Sequence, residues 1–285
     1  MIASCRSLFP IRMMCRFLHV WASGYYARQT RTKSRRATAN EELTQAIRHI
    51  HTESGEVYGS PKIWQELQER GHACGQHRVA RLMKQEKIQG IPSKKRWRNR
   101  KSGERPQDVT NHLAQDCGPE TPNTKWVTDM TYIRTAEGWV YLAVVLDLFT
   151  RQVIGWSMQP QRGREVVLQV VLMAVWQRTT AEAVILHSDR GTQYTAQEFQ
   201  AFLKTHGIVS SMSGVGNCYD NAVAESFFGL LKRERVHRRY YRTRAEARTD
   251  IFNYIERFYN RQRQHSSSKG FAPGVYAEQI SKTLN

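Results

Sequence analysis

A chain of 285 residues is long enough for one large domain or for two to three small ones, each with its own core. Its 40% hydrophobic and 10% aromatic content excludes a disordered polymer. Forty-three Lys and Arg against 25 Asp and Glu leave a net charge of +18, which calls for a polyanionic partner, nucleic acid before an anionic membrane surface.

Residues Ile11 to Val20 read as a short helical piece, followed by Ser23-Gly24-Tyr25-Tyr26. A basic linker with Arg28, Arg31, Lys33, Arg35 and Arg36 comes next. Residues 40–52 then form a helix, with Asn40 as its cap and Leu43, Ile47 and Ile50 on one face. In YGSPKIWQELQERG, Ser60 is the N-cap, Pro61 takes the first helical position, and Ile63, Trp64 and Leu67 make the apolar stripe. Gly71 ends that helix, and Gln76–Met83 makes another with Arg78, Arg81 and Lys84 on its open side. Helix, glycine-containing turn and basic helix match a helix-turn-helix. A small helical bundle has the same outline, and the basic second helix tips the reading toward DNA. The run 94–101 follows, with Lys94, Lys95 and Arg96 beside Trp97, and reads as a linker that tracks phosphates.

From Pro119 the pattern changes. Residues 125–134 read as a strand, and GWVYLAVVLDLFTRQVIGWSM as two strands turning near Phe149-Thr150-Arg151. A nearly all-apolar helix, Arg164–Arg178, is followed by a strand over 183–188. Thr195-Ala-Gln-Glu198 reads as a capping box opening a helix over 196–206, and Ile208–Met212 is a last strand. The loop Ser213–Asn217 leads to a helix carrying Glu225. Three strands, helix, strand, helix, strand and helix give an α/β layer architecture with a mixed sheet. It resembles the ribonuclease H-like fold. The expected division is an N-terminal helical region over 1–108, with the helix-turn-helix at about 40–92 and a basic linker, a catalytic core over 119–235, and a basic helical C-terminal segment over 236–285. In that last segment, Thr243-Arg-Ala-Glu246 is a second capping box, opening a helix through Ile251, Tyr254, Ile255, Phe258 and Tyr259.

Three acids stand out on this framework. Asp129 lies in the first strand, Asp189 at the carboxyl end of the fourth, and Glu225 on the helix beyond. Open α/β sheets place their ligands at such strand ends. Two-metal phosphodiester enzymes hold a pair of Mg²⁺ ions about 4 Å apart with a few carboxylates, one of which must reach both ions. Asp129, Asp189 and Glu225 suit those places as catalytic and metal-holding residues. Lys232, two helical turns past Glu225, is placed to grip a DNA phosphate. Arg190 and Asn221 flank the acids as further DNA contacts. Asp147 reads as a turn or hydrogen-bonding residue, Asp220 as the cap of the Glu225 helix, and His187 as a packed strand-end or supporting residue.

WVTDMTYI, YLAVVLDLFTRQVIGW, HSDRGTQY, SMSGVGNCYDNAVAESFFGLLKRE and IFNYIERFYNRQRQHS resemble the insertion-sequence transposases of the IS3 family, in particular their second-frame (OrfB) product, a relative of retroviral integrases. The resemblance runs from about Pro10 to Ala277, and the 35 residues between Asp189 and Glu225, with Lys232 beyond, coincide with that family's DDE signature. YGSPKIWQEL and HRVARLM resemble its helix-turn-helix module. Val20–Gly24 and Ser268-Lys269 depart from the family pattern without touching the acids.

The resemblance implies a DNA transposase that cleaves and transfers 3′ ends of an insertion sequence, without a covalent protein–DNA intermediate. It implies two Mg²⁺ ions, with Mn²⁺ as a substitute, and double-stranded DNA as partner, both element ends and target. It also implies a homo-multimer on DNA and an upstream-frame (OrfA) helix-turn-helix protein or its frameshift fusion. Cys5, Cys15, Cys74, Cys117 and Cys218 contain no CxxC pair and read as reduced thiols. No apolar run approaches the roughly 20 residues of a spanning helix, and Arg6, Arg12 and Arg16 break any signal-peptide core. No membrane partner is therefore expected, and the location is the bacterial cytoplasm, at the nucleoid. The alternative is a DNA-binding regulator or accessory protein with an inactive core. A nuclease of the same fold leaves the basic flanks unexplained.

Overall fold

The computed structural model describes residues 2–92, 121–178, 183–189, 191–212 and 222–284. Two short helices come first, α1 (Ile11–Phe17) and α2 (Ala22–Thr30), so Ser23–Tyr26 is helical rather than a break. Three longer helices follow: α3 (Arg35–Glu53), α4 (Ser60–Glu69) and α5 (Gln76–Gln85). The first of these begins before the expected Asn40, because Ser34 is the cap and its hydroxyl accepts from the Ala37 amide at 3.2 Å. Asn40 instead lies inside α3, where its Oδ1 accepts from Arg78 Nε of α5 at 2.9 Å. Ser60 is the first residue of α4, with Gly59 in the cap position one place earlier than expected. Gly71, at φ 82°, turns the chain out of α4 as anticipated. Leu43, Ile47, Ile50, Ile63, Leu67, Val79, Leu82 and Met83 are buried between the three helices.

The sheet comprises β1 (Lys125–Thr135), β2 (Gly138–Asp147), β3 (Val153–Gln159), β4 (Val184–Ser188) and β5 (Ile208–Met212). Its order is β3-β2-β1-β4-β5, antiparallel across β3, β2 and β1 and parallel across β1, β4 and β5, so it is mixed as expected. The helices between and after these strands are α6 (Arg164–Trp176), α7 (Thr192–Thr195), α8 (Gln197–Thr205) and α9 (Ala222–Glu234). Alternation along β1 decides the two faces. Trp126 joins Ala143, Val145 and Ile154 under Val166, Val167, Val170 and Val171 of α6. Val127 and Ile133 point the other way, against Phe227, Phe228 and Leu231 of α9. Gly155 lets β3 lie directly on α6, since a Cβ there would sit 2.4 Å from the Val170 carbonyl oxygen.

Two local expectations changed. The Thr195–Glu198 capping box does not form: α8 starts from Ala196 with no side-chain cap, and Glu198 pairs with Arg164 at 2.8 Å. The preceding turn, α7, carries Tyr194 into the core, where its ring meets Phe199 edge-on at 5.7 Å, and that burial outweighs the cap. The C-terminal segment is helical, but it is more than a basic tail. It runs through α10 (Arg244–Phe252), a π-helical stretch Asn253–Tyr259 and α11 (Pro273–Leu284). Thr243 caps α10 as expected, its Oγ1 accepting from the Glu246 amide at 3.1 Å. Tyr254, Ile255, Phe258 and Tyr259 are buried in the same apolar cluster as α9, the β1 face and helices α3 to α5. Asn260 closes the edge strand β3, accepting from the Val153 amide at 3.1 Å and donating to its carbonyl at 3.0 Å.

Candidate active site

The parallel pairing of β1 with β4 matches Lys125 with Ile185, Trp126 with Leu186 and Val127 with His187. Asp129 lies two residues past Val127 on β1 and Asp189 two residues past His187, just beyond β4, so each strand carries an acid at the same step past the last paired residues. Buried sequence on both strands thus delivers two carboxylates, each half-buried, to one end of the sheet centre. Asp129 Oδ1 accepts from the Met130 amide at 2.7 Å, and Asp189 Oδ1 from the Gly191 amide at 2.9 Å. A Cβ at Gly191 would lie 2.9 Å from that same Asp189 oxygen, so glycine leaves the acid its place.

Beneath the pair lies Tyr194, fully buried, with its hydroxyl 3.4 Å from Thr128 Oγ1. Burial pushes the Tyr194 hydroxyl far above the ordinary tyrosine range; the Thr128 contact pulls it back, and the negative charges of Asp129 and Asp189 push it up again. Tyr194 was not singled out from sequence, although it sits in the same HSDRGTQY motif as Asp189. Exposed Arg162, ahead of α6, also reaches this phenol electrostatically and was likewise missed.

Glu225 stands exposed in the first turn of α9, where a negative charge favours the helix, while Lys232 lies in its last turn. The two are seven residues apart, about 10 Å along the axis. Lys232 Nζ is 5.3 Å from the centre of the Tyr132 ring on β1, so α9 and β1 meet through it. Among the described residues, no three His, Cys, Asp or Glu side chains are gathered tightly enough to hold a metal ion, so Glu225 is not drawn into one cluster with the two aspartates. Arg190, Asp220 and Asn221 lie outside the described residues, as do Lys94, Lys95 and Arg96.

The remaining acids behave as anticipated. Asp147 is buried at the β2–β3 turn, accepting from Thr150 N at 2.9 Å, Thr150 Oγ1 at 2.6 Å and Asn123 N at 3.1 Å. Burial pushes its carboxyl upward against those hydrogen bonds. His187 is fully buried, with Nδ1 3.1 Å from Ser211 Oγ on β5. On α5, Arg81 and Lys84 are exposed, whereas Arg78 is half-buried by its bond to Asn40.

An HTH-like domain family matches residues 38–96, an integrase core domain family residues 119–218, and a second integrase core family residues 225–280. The transposase InsF for insertion sequence IS3A of Escherichia coli (strain K12) is 40% identical over 268 residues, 93% of each chain. The chain belongs to the IS3 family of insertion-sequence transposases. The uncharacterized 31 kDa protein of insertion element IS600 from Shigella sonnei is 36% identical over 265 residues, covering 93% of this chain and 97% of its own length. Among solved structures, the HTLV-2 integrase catalytic core domain in complex with magnesium is 17% identical, at a TM-score of 0.43, over 55% of this chain and 98% of its own.

The IS3-family assignment agrees with the resemblance read from the motifs. The protein is a transposase with an integrase-type core, an enzyme of the polynucleotidyl transferase type that acts in DNA transposition. Its mixed five-stranded sheet, with a helical helix-turn-helix-like region before it and helices after it, fits the ribonuclease H-like expectation. No described helix is long and apolar enough to cross a membrane.

Proposed function

We propose that this transposase cleaves 3′ ends of its insertion sequence and transfers them to target DNA at a site built on Asp129, Asp189 and Glu225. The observation that supports the reading is the parallel β1–β4 pairing, two residues past which each chain segment carries an acid, together with Glu225 in the first turn of α9. These are hard oxygen donors, the kind that Mg²⁺ takes, and the buried Tyr194 beneath them offers no competing anion because its hydroxyl stays protonated. Asp129 and Asp189 would hold the divalent ions, two Mg²⁺ with Mn²⁺ as substitute, and Glu225 would complete the set from α9. Ions bound there supply activation of the attacking oxygen and neutralise charge on the phosphate.

The chain's own residues do the rest. Lys232 holds the phosphate of the DNA end near the acids. Arg78, Arg81 and Lys84 of α5 engage duplex DNA, with Lys94, Lys95, Arg96, Arg190 and Asn221 adding contacts. Affinity then comes from cations and chemistry from carboxylates, so the two are separable. Homo-multimers on DNA, an upstream-frame partner for end recognition and a place at the bacterial nucleoid belong to the same reading.

The test is strand joining with DNA ends that already bear a free 3′-hydroxyl, in Mg²⁺, Mn²⁺ or chelator. Metal-dependent joining lost in Asp129→Asn, Asp189→Asn and Glu225→Gln, with DNA binding retained, is the expected result. Full joining by Asp189→Asn would overturn the site. Tight binding without joining, even with the upstream-frame product supplied, would point to a regulator with an inactive core.

A further inference from the structure

Between the acids and the β1–β2 turn lies an aromatic pair that the proposed chemistry does not use. Tyr132 and Trp139 are 58% and 47% exposed, with ring centres 5.1 Å apart in an edge-to-face arrangement. In the antiparallel register Tyr132 faces Tyr141 and Arg134 faces Trp139, so the pair is diagonal on one face of the hairpin. Two large rings left this open to water bury little area for the fold. Their neighbours give the pair its meaning. Tyr132 lies three residues beyond Asp129 on β1, about 10 Å along the strand and on the opposite face by its alternation, and Lys232 of the Glu225 helix is 5.3 Å from its ring centre, so this lysine links the ring to the helix that bears the third acid. β4 pairs with β1 over Lys125–Val127, so beyond Val127 the only strand neighbour of β1 among the described residues is β2.

We propose that Tyr132 and Trp139 form a stacking platform for an unpaired nucleobase of the DNA end, with Lys232 holding the adjoining phosphate. The inference rests on the transposase reading and adds to it a contact that requires the end to be frayed. Aromatic faces next to a cation are how proteins hold single-stranded nucleic acid without reading its sequence, because every base has a π-face. The excess of 18 positive charges favours this occupant over a second copy of an equally basic chain. The rings would hold a nucleotide of the frayed end beside Lys232, farther along β1 than the acids.

The experiment uses the full chain in chelator, so that binding is seen without chemistry. Its probes are a blunt duplex and the same duplex with a short single-stranded overhang carrying 2-aminopurine, each also labelled for anisotropy. Stacking should quench 2-aminopurine in the wild type and in Tyr132→Phe. Tyr132→Ala and, separately, Trp139→Ser should lose the quenching and weaken overhang binding roughly 5- to 100-fold relative to blunt DNA. Both side chains are exposed, so either variant alone suffices if the other fails to fold. Unchanged quenching and affinity in these variants would overturn the platform and leave the transposase reading standing. Failure of the wild type to bind either duplex would overturn both.

Discussion

Glu234 and Arg263 form a bidentate pair inside the protein, Nε to Oε2 at 2.9 Å and Nη2 to Oε1 at 2.7 Å, with the two side chains 2% and 8% exposed. Tyr254 adds a third hydrogen bond, donating to Glu234 Oε2 at 2.8 Å. Burial works against the charge on Arg263, but the hydrogen bonds and charge of Glu234 outweigh it and hold the guanidinium above its ordinary range. Removing one partner strands the other charge in the interior, which costs about 3–5 kcal/mol. Glu234→Ala leaves Arg263 and the Tyr254 hydroxyl without their acceptor, so it should reach the upper part of that range. Arg263→Ala leaves Glu234 still bonded to Tyr254, with Arg233 at 4.0 Å, and should cost less.

In a cooperative chain of this length, with an unfolding entropy of about 0.6 kcal/mol/K, 3–5 kcal/mol corresponds to a fall in Tm of roughly 5–8 °C. The apolar double variant Glu234→Leu/Arg263→Met should recover the part of the loss that comes from a stranded charge, leaving the Tyr254 hydroxyl without its acceptor at about 1–3 kcal/mol. Urea and thermal unfolding of the wild type, Glu234→Leu, Arg263→Met and their combination close the cycle. Additive single-variant losses, or a Glu234→Ala cost below about 1 kcal/mol, a value ordinary for a surface pair, would refute the reasoning.

Gly155→Ala should destabilise by about 1–3 kcal/mol in the same assay, because its Cβ meets the Val170 carbonyl oxygen at 2.4 Å and α6 must move away from β3. Asn260→Ala should cost about 1–3 kcal/mol by freeing both backbone groups of Val153 on the edge strand, and faster amide exchange at Val153 would accompany it. His265 has its imidazole lowered to about 4, by burial first and then by the positive charges of Arg263, Arg151 and Lys62. Between its ordinary 6.5 and that value the unfolded chain binds a proton that the folded chain does not. Stability from this residue is therefore full above the upper value and lost as pH falls toward the lower one. Thermal unfolding of His265→Gln at neutral and acid pH should show a flatter acid limb than the wild type.

The strands and acids were legible because β4 and the first half of β1 are largely buried on both faces and read as apolar runs, and a carboxylate just after such a run is conspicuous. The capping box at Thr195 was misread because a local hydrogen-bond pattern says nothing of where Tyr194 must go, and burying that ring decided the turn. Asn40 failed as a cap for a related reason: a better cap, Ser34, stood one and a half turns upstream, and Asn40 found a tertiary partner in Arg78. The Glu234–Arg263 pair could not be found locally at all. Its two members are separated by a turn, α10 and the π-helical stretch, and each alone looks like a surface charge.

That pair also explains how the helix-turn-helix-like region and the α9 carboxylates share one frame. Glu225, Lys232 and Glu234 ride on the same helix, so whatever fixes Glu234 fixes the direction of α9. Arg263 supplies that anchor, and the residues beside it reach the helix-turn-helix. Tyr58 donates to the Gln262 carbonyl at 2.9 Å and accepts from the Gln264 amide at 3.1 Å. Lys62 Nζ of α4 donates to the Gln264 carbonyl at 2.8 Å, and Gln264 Nε2 donates to Glu66 at 3.1 Å. On the other side, Tyr259 donates to the Arg151 carbonyl at 3.0 Å and Ser268 to the Thr150 carbonyl at 3.0 Å. Three segments distant in sequence are thus bonded to one short stretch, residues 259–268. A basic C-terminal segment would need none of these bonds to attract DNA. Its buried tyrosines and its paired arginine instead tie α4 and α9 to one stretch of chain, so that the two helices are held by the same set of bonds.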